Sequence, residues 1–101
     1  IKIEGSKVTI NNTNTVFEGY DVAVENAELT VNGASNKVFG NGNTATITNS
    51  KLVLQDTNGI ECIESNIIVD NSTIACDLSD SGSVFYGEKI ITLKYTMVWI
   101  H

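Results

Sequence analysis

Ile47-Thr48-Asn49-Ser50-Lys51-Leu52-Val53-Leu54 is the stretch that decides how this chain folds. Aliphatic residues hold its first, sixth and eighth positions, Asn its third and a small residue its fourth. The alternation of Leu52 and Leu54 turns one face of a strand inward. Asn tolerates a left-handed backbone better than most residues, so Asn49 marks a corner between Ile47 and Leu52. Ser50 is small enough for the crowded inside of that corner. A strand this short cannot bury its apolar face alone.

Copies of the same pattern supply the rest. Upstream stand Ile3-Glu4-Gly5-Ser6-Lys7-Val8-Thr9-Ile10 and Val24-Glu25-Asn26-Ala27-Glu28-Leu29-Thr30-Val31. Downstream stand Val69-Asp70-Asn71-Ser72-Thr73-Ile74-Ala75-Cys76 and Leu93-Lys94-Tyr95-Thr96-Met97-Val98-Trp99-Ile100. The small residues fall at 6, 27, 50, 72 and 96. A second landmark, Val16-Phe17, Val38-Phe39, Ile60-Glu61 and Val84-Phe85, keeps the same phase. A period of about 22 residues is the signature of a solenoid, in which each repeat buries its face against the next. Three short strands are expected per repeat, in the second near Val16-Phe17, Asp21 to Val24, and Ala27 to Val31. An antiparallel β-sandwich of about eight strands is the rival architecture. It needs no constant period.

Composition agrees with strands and tight turns. Asn occurs 12 times and Thr 11 times in 101 residues, and Pro is absent. The six cations are all Lys, against 12 acidic residues, for a net charge of −6. An acidic chain without Arg is poorly suited to nucleic acid, where Lys and Arg neutralise phosphates. It suits anionic membrane surfaces no better. No stretch reaches the roughly 18 apolar residues of a membrane span, so no membrane insertion is expected. The chain starts without Met and reads as a single domain, residues 1–101, cut from a longer solenoid.

The Asn26, Asn49 and Asn71 series resembles the asparagine ladder of pectate-lyase-like right-handed β-helices. The resemblance runs from Ile3 to Ile100, with Gly5 and Tyr95 replacing Asn in the first and last copies. It implies an all-β, right-handed parallel β-helix of about five coils with a repeat near 22 residues. It implies no single activity, because that fold serves lyases, hydrolases, adhesins and phage tail proteins. Pectate-lyase-like catalysis uses calcium-binding Asp residues with an Arg or Lys base, and polygalacturonase-like catalysis uses Asp residues near a Gly-His-Gly motif. This chain has no Arg and no such motif, and its one His is the terminal His101. No catalytic residue, metal site or cofactor is therefore expected, although two glutamates such as Glu25 and Glu28 are the minimum that glycoside hydrolysis requires.

Several residue sets invite a binding reading. Phe17, Phe39 and Phe85 recur at one repeat position. Facing outward, they form an aromatic track for sugar rings; facing inward, they are a core stack. Lys7, Glu28 and Lys51 share an outward column of alternating sign, as neighbouring strands prefer. Thr44, Thr46 and Thr48 alternate as in ice-binding solenoids, but the equivalents of Thr46 are Ala23, Ile68 and Thr92. Asp77 and Asp80 flank Ser79 near Gly82 in a loop with too few ordered oxygens for a calcium motif. Cys76 takes an aliphatic position, which suits a small buried hydrophobe; a bond to Cys62 is the other option. Tyr95, Met97 and Trp99 make the outward side of the last copy apolar, which suits self-association through the ends of the solenoid. The functional expectation is a non-enzymatic, adhesin-like module, extracellular or on the cell surface, with a polysaccharide or a host or cell-surface glycan as partner. A fragment of a polysaccharide lyase or glycoside hydrolase, and a structural solenoid that self-associates, are the alternatives.

Overall fold

The computed structural model describes residues 1–13, 15–19, 21–33, 37–40, 44–57, 60–63, 65–78, 85–86 and 89–100. These residues form strands and turns, with no helix among them. The strands in chain order are β1 (Lys2–Glu4), β2 (Lys7–Asn11), β3 (Thr15–Glu18), β4 (Val22–Glu25), β5 (Glu28–Asn32), β6 (Lys37–Gly40) and β7 (Thr44–Thr48). They continue as β8 (Lys51–Thr57), β9 (Ile60–Ile63), β10 (Ser65–Asp70), β11 (Thr73–Leu78), β12 (Phe85–Tyr86), β13 (Lys89–Lys94) and β14 (Met97–Ile100).

Three sheets result, with orders β1-β4-β7-β10-β13, β14-β11-β8-β5-β2 and β12-β9-β6-β3. Each strand lies beside the one three places along the chain, and every pairing among the described residues is parallel. That removes the antiparallel sandwich, whose hairpins need antiparallel neighbours. In the first sheet register joins residues 21 to 24 positions apart: Ile3 to Val24, Val24 to Ile47, Ile47 to Val69, and Val69 to Leu93. In the second sheet Ile10, Val31, Leu54 and Cys76 share one line, as their common phase predicts. Val31 and Leu54 are fully buried, Cys76 nearly so, and Ile10 packs on them from the edge strand.

The corners explain how the chain turns without losing its ladder. Gly5, Asn26, Asn49, Asn71 and Tyr95 all have φ between 48° and 62°. Left-handed backbone suits Gly and Asn because the side chain is absent or can bond locally. Four of these corner N–H groups pair onward: Gly5 donates to the Glu25 carbonyl at 3.0 Å, Asn26 to Thr48 at 3.1 Å, Asn49 to Asp70 at 3.1 Å and Asn71 to Lys94 at 2.9 Å. Asn71 Nδ2 also donates to Asn49 Oδ1 at 2.7 Å, a rung of the expected ladder. A second set of corners escaped the sequence reading. Asn12 and Gly33 are left-handed too, at φ 55° and 79°, and Asn32 Nδ2 donates to Asn11 Oδ1 at 2.9 Å.

The small residues after the corners do more than fit. Ser50 Oγ donates to the Thr48 carbonyl at 2.7 Å and accepts the Ala27 N–H at 3.1 Å. Ser72 Oγ donates to Asp70 at 2.8 Å and accepts the Ser50 N–H at 3.1 Å. Both serines are buried, so these bonds replace water that cannot enter.

Two outcomes are expected. Leu52 is 1 % exposed and its neighbour Val53 faces outward. Leu52→Asp should abolish the cooperative thermal melt, because an unpaired buried carboxylate is very costly, whereas Val53→Asp should shift it by a few degrees. Ser72→Ala should lower stability by about 1–3 kcal/mol in denaturant titration, since the Ser50 N–H is left buried without an acceptor.

Candidate functional site: an exposed apolar end

β13 and β14 are edge strands of their sheets. Leu93 lies on the inward line that continues from Val69, yet Val69 is fully buried and Leu93 is 45 % exposed. The difference is a missing neighbour: Val69 has a strand on either side, Leu93 on one. Met97 continues the outward line of Lys7, Glu28, Lys51 and Thr73, and Trp99 that of Thr9, Thr30, Val53 and Ala75. Met97 is 55 % and Trp99 61 % exposed. The Trp99 side chain closes one side of a cleft of about 360 Å³ bounded by Val53, Ala75, Gln55 and Asp77.

Tyr95 is the most telling member of the group. It is 82 % exposed and sits at φ 48°, in the corner position that Gly5 and three asparagines fill elsewhere. A bulky residue in left-handed backbone costs roughly 1–2 kcal/mol. The sequence had marked Tyr95, Met97 and Trp99; Leu93 was missed because its repeat position promised burial.

The phenylalanine track is corrected. Phe17 and Phe39 are core residues, 7 % and 0 % exposed, with rings stacked 5.5 Å apart at 13°. Buried ring faces offer nothing to a sugar. Phe85 also leaves the line: Phe39 pairs with Cys62, while Phe85 pairs with Ile60. A register slip of this kind breaks a column that the sequence spacing had suggested. The Phe85 side chain lies outside the described residues.

Lys7, Glu28 and Lys51 stand in register as expected, but no ion pair joins them among the described residues. Lys2 is the paired cation instead, 2.9 Å from Glu4 and 3.6 Å from Glu25. The hydrogen bond that Lys2 donates to Glu4, then the charge of Glu25, hold the Lys2 ammonium above its ordinary pKa. Above the corner residues Gly5, Asn26 and Asn49, the three unpaired charges line an open polar groove of about 520 Å³. Ala23, Thr46, Ile68 and Thr92 do share one register line, so no regular threonine column forms. Among the described residues, no three His, Cys, Asp or Glu side chains are gathered to hold a metal ion. Asp77 is exposed, whereas Ser79, Asp80 and Gly82 lie outside the described residues.

Cys76 is a free thiol, 3 % exposed, and burial pushes its pKa up to about 11. The Cys62 side chain lies outside the described residues. No protein-family model, curated protein or solved structure matches the chain.

In a Cys62→Ser background, Cys76 should react with a thiol reagent at pH 7 at least ~100-fold more slowly in the folded chain than in urea, because thiolate content and access both fall. The folded pKa lies above the unfolded one. The stability tied to Cys76 is therefore complete below about pH 9 and lost as pH rises towards about 11. A Cys76→Ala variant should lack that alkaline component in pH-dependent melts.

Proposed function

We propose that the chain is a right-handed parallel β-helix of about five coils with a repeat near 22 residues, and that it serves as a non-enzymatic, adhesin-like interaction module of an extracellular or cell-surface protein. The observation that carries this reading is a set of large apolar side chains where earlier passages carry smaller or polar ones: Tyr95 at a corner, and Met97 and Trp99 on the outward lines of β14. Contiguous aromatic and Met surface of this kind is what contact surfaces are enriched in. The coil reading is supported by strands that pair with the third strand onward in all three sheets. It is supported too by the left-handed corners that recur at Gly5, Asn26, Asn49, Asn71 and Tyr95.

A glycan partner is better served by the polar groove than by phenylalanines. Lys7, Glu28, Lys51, Asn26 and Asn49 offer donors and acceptors there to a polyhydroxylated chain. The enzyme alternative draws less support: of its two glutamates, Glu25 already lies 3.6 Å from the Lys2 ammonium.

Two measurements test this reading. The chain should turn over neither polygalacturonate nor alginate, and turnover that Glu28→Gln or Lys51→Met abolishes would replace the module with an enzyme. A hydrophobic fluorescent dye should bind the wild-type chain and lose most of its signal in Tyr95→Ser/Trp99→Ser at unchanged circular dichroism. An equal signal in that variant removes the apolar end as the contact surface.

A further inference from the structure

The outward face of β8, β11 and β14 carries small apolar residues beside one large ring. Val53, Ala75 and Trp99 share a register line across the three strands. In the next outward line Gln55 pairs with Asp77, and both are exposed. Adjacent strands lie about 4.8 Å apart, and successive outward residues of one strand about 6.6 Å apart. These five residues form the cleft of about 360 Å³, with a floor of Val53 and Ala75, a wall of Trp99 and a polar end of Gln55 and Asp77. The cleft does not depend on β14 being an edge. Its floor lies on β8 and β11, each of which has a strand on either side. A strand paired beyond β14 would extend the sheet in its own plane, beside Trp99 and away from the floor.

We propose that this cleft is a subsite for one ring of a neutral glycan. The proposal rests on the interaction-module reading and names the class of ligand. One face of a pyranose ring presents C–H groups, which pack on the electron-rich face of an indole and on an aliphatic floor. Its hydroxyls project from the ring edge, where Gln55 offers donors and an acceptor and Asp77 offers two acceptor oxygens. An apolar recess with a few convergent polar groups is the usual make-up of a small-ligand site. Charge decides which sugars fit. Among the described residues the lining holds one carboxylate and no cation, and the chain carries −6 overall, so a uronate would meet like charge. An ammonium ligand uses the Trp99 face and Asp77, whereas a neutral polyol uses the Gln55 donors as well. Lys51 and Val53 are successive outward residues of β8, so the cleft shares one face of the sheet with the polar groove of Lys7, Glu28 and Lys51.

Trp99 is the one tryptophan of the chain, so its emission reports this cleft directly. Cellohexaose, mannohexaose and chitohexaose are the probes. At least one should shift that emission at millimolar concentration or below, with saturation-transfer NMR showing its ring C–H protons against the protein. Gln55→Ala and Asp77→Ala should each weaken that binding roughly 5- to 10-fold. Ala75→Leu fills the floor and should abolish binding at unchanged circular dichroism. Should Ala75→Leu not fold, the two polar-end variants decide. Trigalacturonate should bind at least ~10-fold more weakly than the neutral sugar. Three neutral sugars that leave both signals unchanged overturn the subsite, as does binding undiminished in a folded Ala75→Leu or in both polar-end variants. Trigalacturonate bound as tightly as the neutral sugars overturns their selection by charge. Tetramethylammonium bound more tightly than all three makes the cleft a cation pocket and overturns the proposal as well. In each of these cases dye binding that depends on Tyr95 and Trp99 leaves the module reading standing, whereas absent dye binding removes both.

Discussion

Everything in this structure depends on one constraint: each strand must find its hydrogen-bond partners in the strand three places further along. Among the described residues no strand has a hairpin neighbour to complete it, and most are only four to six residues long. The chain meets the constraint by returning to a neighbouring strand after 21 to 25 residues. The cost is a sharp corner in every passage, and a corner threatens to leave N–H groups unpaired in a crowded place. Left-handed residues solve that problem geometrically, because their N–H groups still reach the next carbonyl.

The polar groups along the corners follow from the same need. Ser50 and Ser72 stand where a purely apolar residue would leave backbone N–H groups buried and unsatisfied. Each hydroxyl accepts a hydrogen bond from an N–H of the preceding passage and donates one to a carbonyl of its own passage, a two-way bond that Ala27 cannot make. One asparagine rung, Asn71 to Asn49, joins neighbouring corners beside them. Stability therefore comes jointly from an aliphatic interior and from two polar lines at its edge. Isolated pairs on the exposed outer face, such as Lys2 with Glu4, add little by comparison.

The interior and the candidate contact surface are made from one set of columns. A column is buried where strands flank it on both sides and open where they flank it on one. Val69 and Leu93 occupy equivalent places and differ only in that respect. Among the described residues Leu93 is open because its strand is paired on one side only. Tyr95 and Trp99 differ from it, because neither position demands a large ring: the earlier passages place Gly or Asn at the first and Thr, Val or Ala at the second.

Much of the fold was legible in the sequence because the constraint leaves marks on residue types. Left-handed corners select Gly and Asn, so Asn26, Asn49 and Asn71 could be placed from their identity and spacing alone. Inward anchors must be apolar, so Leu29, Leu52 and Ile74 fell on one line before any coordinates did. Tyr95, Met97 and Trp99 were marked as unusual for an outward face, and they are exposed. Only the tertiary structure decided which way paired apolar residues turn. Val16-Phe17 and Val38-Phe39 look the same whichever member faces in, and the phenylalanines proved to be core. Register across the third sheet was equally hidden, since a one-residue slip between Phe39 and Cys62 changes no residue type yet breaks the aromatic column. The serine hydroxyl bonds were hidden for a related reason: smallness and hydrogen bonding select the same residue, and only distances separate the two.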